Sequence, residues 1–124
     1  MKSLPLQPED LIRYQRSIDL LKEVVHQINK DFQLNGLDVE FSGEGETAYT
    51  ELTDQIKPVV EYLSEKQPDR FWNLLYSIDI SEAKVKEALF GSEPDSIGLL
   101  TNLILKRELQ KVVIRHFYSG KQLP

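Results

Sequence analysis

The chain has 124 residues, of which 40% are hydrophobic and 28% charged, inside the range of folded globular domains and outside that of disordered chains. That length suits one domain able to bury about two thirds of its unfolded surface. Cysteine is absent, which excludes a disulfide framework, a thiolate metal site and a cysteine nucleophile.

The net charge is −5, but its distribution carries more information than its sum. Residues 1–100 hold 10 basic against 19 acidic side chains, net −9, whereas residues 101–124 hold 5 against 1, net +4. The opening residues, 1–7, are broken by Pro5 and lack the roughly 7 to 15 residue apolar run of a secretory signal. No stretch approaches the roughly 18 consecutive apolar residues of a membrane span. The expectation is a cytoplasmic protein without a membrane segment.

Pro8, Glu9 and Asp10 form a helix start, because proline suits the first turn and carboxylates complement the dipole there. Leu11, Tyr14, Ile18, Leu21, Val25, Ile28 and Phe32 then alternate spacings of three and four, which lays them along one stripe. Asn35 and Gly36 tolerate the left-handed cap conformation, so this pattern predicts one helix over about 8–35. Residues 37–41 alternate in the strand manner, yet no second segment offers a pairing partner, and an extended connection is expected. The stretch 42–46, with two glycines and two glutamates, reads as a surface loop.

A second helix is expected over about 47–66, with Tyr49, Leu52, Ile56, Val59 or Val60, and Leu63 on its apolar face. Pro58 removes a backbone hydrogen bond inside it and predicts a kink or break. Pro68 and Asp69 open a short helix over 68–78 with Phe71, Leu74, Leu75 and Ile78 on one face. Asp79 with Glu82, or Ser81 alone, caps another over 81–90 that stops at Gly91. Ser92, Pro94 and Asp95 start the last helix, over 94–118, whose portion 97–105 is apolar nearly all round. Such a segment belongs at the centre of a core or at a subunit interface. The fold class is therefore all-α: a four- to five-helix bundle of three long helices and a short helical pair, in a single domain.

No motif specifies a reaction or a cofactor. Glu23 and His26 have the Glu-x-x-His spacing of carboxylate-bridged metal bundles, but that site needs two such motifs, and both residues fall off the apolar stripe, which makes them a solvated pair. Ser81 and Lys84 match Ser-x-x-Lys without its partner motifs, and a serine at a helix start is ordinarily a cap. Gly43, Glu44 and Gly45 lack the lysine of a phosphate loop and carry repelling charge.

Two surfaces remain as candidate interaction sites. Lys106, Arg107, Lys111, Arg115, His116 and Lys121, with Phe117 and Tyr118, form the one basic, aromatic-bearing region. The acidic stretch 38–65 offers those cations ready partners, and the acidic remainder disfavours nucleic acid. Trp72 and Tyr76 pair at i, i+4 on a neighbouring face of the 68–78 helix, with burial in the core as the simpler reading. The leading functional expectation is a non-catalytic interaction or assembly module, with a protein partner or a second copy of the chain. An inter-helical pocket drawing on His26, His116, Arg115, Tyr14 and Tyr118 is the enzyme or ligand-binding alternative, and nucleic-acid binding through the basic helix is a third.

Overall fold

A computed structural model describes residues 4–91 and 94–124, and every regular element among them is an α-helix. In chain order these are α1 (Pro8–Tyr14), α2 (Ile18–Asp31), α3 (Gly45–Lys66), α4 (Pro68–Ser77), α5 (Glu82–Phe90) and α6 (Ser96–Ser119). The all-α expectation holds.

The single helix expected over 8–35 is instead two helices. Ser17 is extended and its side chain accepts the Leu20 N–H at 3.3 Å, so it caps a fresh start for α2. Gly45 lies so close to the Arg16 carbonyl that a Cβ there would stand 2.6 Å from the oxygen. The junction between α1 and α2 is thus where the start of α3 packs. At its other end α2 stops four residues before Asn35, because Gln33 takes the left-handed conformation and Leu34 N–H returns to the Asn29 carbonyl at 2.9 Å. Arg70 of α4 donates to the Phe32 and Gln33 carbonyls at 2.8 and 3.1 Å, answering acceptors that this helix end leaves open.

Residues 37–42 form no strand, as expected, and side chains supply the missing ladder. Asn29 bonds both the N–H and the carbonyl of Leu37, at 2.9 and 2.7 Å. Gln55 does the same for Glu40, at 2.9 and 2.8 Å, and Glu51 accepts the Ser42 N–H. Every second side chain, Leu37, Val39 and Phe41, packs on the core. Helix α3 begins at Gly45, so part of the stretch read as loop is helical. It also runs unbroken past Pro58, which is exposed, so the carbonyl deprived of a partner lies on the solvent side.

Helices α4 and α5 fall where expected, α5 behind a Ser81 cap whose oxygen accepts the Lys84 N–H. The last helix starts at Ser96 behind Asp95, which accepts the Gly98 N–H at 2.9 Å. Ser92, also read as part of that start, lies outside the described residues. Gly120, at φ 75°, ends α6 by letting Lys121 N–H reach the His116 carbonyl at 3.0 Å.

Helix α6 sits at the centre, packed on α2, α3 and α5, while α3 also contacts α4 and α2. Leu100, Ile104, Leu105, Leu109, Val112 and Val113 are all buried. Neighbouring helices of its own chain therefore cover these six side chains, while Leu99 on the same helix stays exposed. Tyr49 donates to Asn102 at 3.1 Å and Lys57 meets Asp95 at 2.8 Å, pairings that fix α3 antiparallel to α6.

Candidate functional site

The buried face of α2 is wider than its sequence stripe. Leu20, Val24 and Gln27 are buried beside Leu21, Val25 and Ile28, because α2 packs on α6 and α3 together. Along the α6 side, Glu23, Gln27 and Asp31 stand at i, i+4 and i+8, one above another. Each meets a polar partner on α6. His116 Nε2 lies 2.9 and 2.8 Å from the two Glu23 oxygens. Arg115 donates to Gln27 Oε1 at 2.7 Å and its other nitrogen lies 3.7 Å from Glu23. Lys111 pairs with Asp31, which also accepts from Gln27 Nε2 at 3.0 Å. Numbers fall on α6 as they rise on α2, so the helices are antiparallel and the seam is one continuous polar ladder.

Burial works against the charge on Asp31, but hydrogen bonds from Lys111 and Gln27, with Glu108 close by, outweigh it and hold the carboxyl below its ordinary value. Glu108, the third acid of this seam, is 0% exposed. Burial first, then the neighbouring Asp31 carboxylate, push its carboxyl up to about 8 against the pull of Lys111 and Arg107.

The outward reading of the Glu23 and His26 pair is therefore corrected for Glu23, which is half-buried and bonded to His116; His26 is exposed. Among the described residues no group of three or more metal-ligating side chains comes together. The partners expected for the basic cluster within 38–65 are also corrected. Lys111 takes Asp31 and Arg115 takes Gln27 and Glu23. Arg107 donates to the Ile78 carbonyl at 2.7 Å, closing the end of α4, and lies 3.9 Å from Asp79. These acids flank the 38–65 stretch because α6 turns its cations toward α2 and the α4–α5 turn.

Lys106 is exposed, and Phe117 and Tyr118 make an edge-to-face pair at 5.3 Å with Tyr118 74% exposed. Trp72 packs on the core, but Tyr76 is 52% exposed, which corrects the core reading for that residue. Tyr14 is buried beneath the Arg13 guanidinium, 5.1 Å from the ring centre. His26, His116, Arg115, Tyr14 and Tyr118 are thus dispersed, with only Arg115 and His116 sharing a partner.

A groove of about 450 Å³ lies elsewhere, between α5 and α6, lined by Lys84, Glu87, Ala88, Leu99, Asn102 and Leu103. Next to it on α5, Phe90 is 79% exposed, and Leu99 in the groove is 36% exposed. The sequence reading did not single out Phe90. Its signal was an aromatic residue off the Val85 and Ala88 face at the end of a short helix.

Glu108 was missed as well, although Thr101, Leu105, Glu108, Val112 and His116 form a helical stripe in which polar and apolar residues alternate as equals. Comparison with family models, with curated proteins and with solved structures gives no match to this chain.

Proposed function

We propose that the chain is a non-catalytic assembly module, a helical bundle built around α6, that associates with a second copy of itself through the face formed by α5 and the α5–α6 groove. The single observation behind this reading is Phe90, 79% exposed at the end of α5, one residue from Gly91 in the lining of a groove that also draws on Ala88, Leu99 and Leu103. Leaving such a side chain in water forgoes about 25 cal/mol for each Å² of apolar area. The rim of the groove favours a copy of the chain as the occupant. Lys84 and Glu87 stand three residues apart on α5 with opposite charge, so a twofold rotation sets each against its complement.

The basic residues of α6 support this reading over nucleic-acid binding, since Arg107, Lys111 and Arg115 already have partners within the chain. Among the described residues no helix is long and apolar enough to cross a membrane.

The test is solution mass by light scattering over a concentration series. The proposal expects a rise toward twice the 14.4 kDa chain mass, abolished by Phe90→Asp. A single-chain mass at every concentration overturns it, as does a dimer that Phe90→Asp leaves intact.

A further inference from the structure

The ladder between α2 and α6 pairs its members except for Glu108 and one ring nitrogen of His116. Glu108 is completely buried, and neither of its carboxyl oxygens has a hydrogen-bond donor among the described residues. Lys111 stands three residues after Glu108 on the same face of α6 and pairs with Asp31 of α2, which places Asp31 beside Glu108, and Arg107 adjoins Glu108 on α6. Lys111 is engaged by Asp31, and Arg107 by the Ile78 carbonyl. The other packed elements bring no charge: α3 buries Ala48, Leu52, Ile56, Val60 and Leu63, and α5 buries Val85 and Ala88. An ionised carboxylate at this position would be buried without a donor and set against a second carboxylate. A protonated one becomes the missing donor, and Asp31, an acceptor, is its neighbour.

We propose that Glu108 and Asp31 share one proton across the α2–α6 contact, which makes that contact a pH-sensitive latch that loosens when the proton leaves. The pair behaves as two carboxyl groups at close quarters do, one acid retained and one ionised. Asp31 stays ionised because Lys111 and Gln27 stabilise its charge, so Glu108 is the member that keeps the proton.

The sign of the pH dependence follows. Glu108 is raised in the fold from an ordinary value of 4.5 to about 8. Below 4.5 both the folded and unfolded chains hold the proton, and the group makes no difference. Between 4.5 and 8 only the fold holds it, so its contribution to the folding equilibrium falls by about tenfold per pH unit. Above 8 the loss is complete.

The experiment is a titration of the intact chain by carboxyl carbon NMR, with urea unfolding of the wild-type, Glu108→Gln and Asp31→Asn proteins from pH 5 to 9. The proposal expects a Glu108 midpoint near 8, lowered in Asp31→Asn. It also expects Glu108→Gln to match wild type near pH 5 and to exceed it by at least about tenfold in folding constant at pH 8. A Glu108 midpoint in the ordinary carboxyl range overturns the proposal without recourse to any variant. So does a midpoint that Asp31→Asn leaves unmoved, or a Glu108→Gln protein less stable than wild type at pH 8.

Discussion

Glu23 on α2 and His116 on α6, 93 residues apart in sequence, meet with the imidazole Nε2 within 2.9 Å of both carboxylate oxygens. His116 is buried and its Nδ1 has no partner among the described residues, so Glu23 is the acceptor that justifies placing an imidazole there. Glu23→Ala leaves the buried ring unpaired and should cost about 1 to 3 kcal/mol, read by urea denaturation. A loss below about 0.5 kcal/mol, the usual range of a surface change, would show that the contact contributes little.

The extended segment after α2 is held by borrowed side chains in place of a neighbouring strand. Asn29→Ala removes two bonds to Leu37 and a third, at 3.2 Å, to the Val25 carbonyl. It should destabilise by about 1 to 3 kcal/mol, and Gln55→Ala, whose bonds to Glu40 are exposed, by about 0.5 to 1.5 kcal/mol. Amide exchange should quicken at Leu37 in the first variant and at Glu40 in the second. Unchanged exchange at both would mean that packing of Val39 and Phe41 alone fixes the segment.

Pro58 offers a change in the opposite direction. It sits within an unbroken α3 on the exposed face, so alanine restores a backbone hydrogen bond without crowding the core. Interior proline costs a helix about 3 kcal/mol, partly offset by the stiffness it lends the unfolded chain. Pro58→Ala should therefore raise stability by about 1 to 2 kcal/mol in thermal or urea unfolding. A loss of stability would show that the packing of α3 on α6 depends on proline at this position.

These cases mark what could be read in the residues. Helix type and most helix ends were legible, because the apolar spacing, Ser81, Asp95 and Gly120 act locally. The division of the first helix was not. Tyr14 and Ile18 keep the same four-residue spacing across the break, and the close approach of Gly45 to Arg16 at the break is a contact between distant segments that this spacing does not carry. The ladder was hidden for a related reason. A helix with two neighbours buries two stripes, so Glu23 looked solvated, and Gln27 and Asp31 drew no notice, when only the Leu21, Val25 and Ile28 stripe was counted. Glu108 drew no notice, because a single acid within a helix pattern carries no sign of its burial.

The core around α6 predicts a steep contrast between two leucines. Leu105 is fully buried, and Leu105→Ala should cost about 2 to 5 kcal/mol through lost burial and the cavity left behind. Leu99, more than a third exposed within the chain, should cost less than half as much when both are compared in the Phe90→Asp background, where the proposed dimer is absent. Comparable losses at both positions there would mean that the chain itself covers Leu99.

The claim on which the rest depends is that α6 is the centre of the core, covered by α2, α3 and α5 of its own chain. Native-state hydrogen exchange tests it most directly. The slowest amides should lie within residues 100–113 and open only with global unfolding, while those of the seven-residue α1 exchange through smaller openings. If the amides of residues 100–113 exchange as readily as those of α1, the account is contradicted.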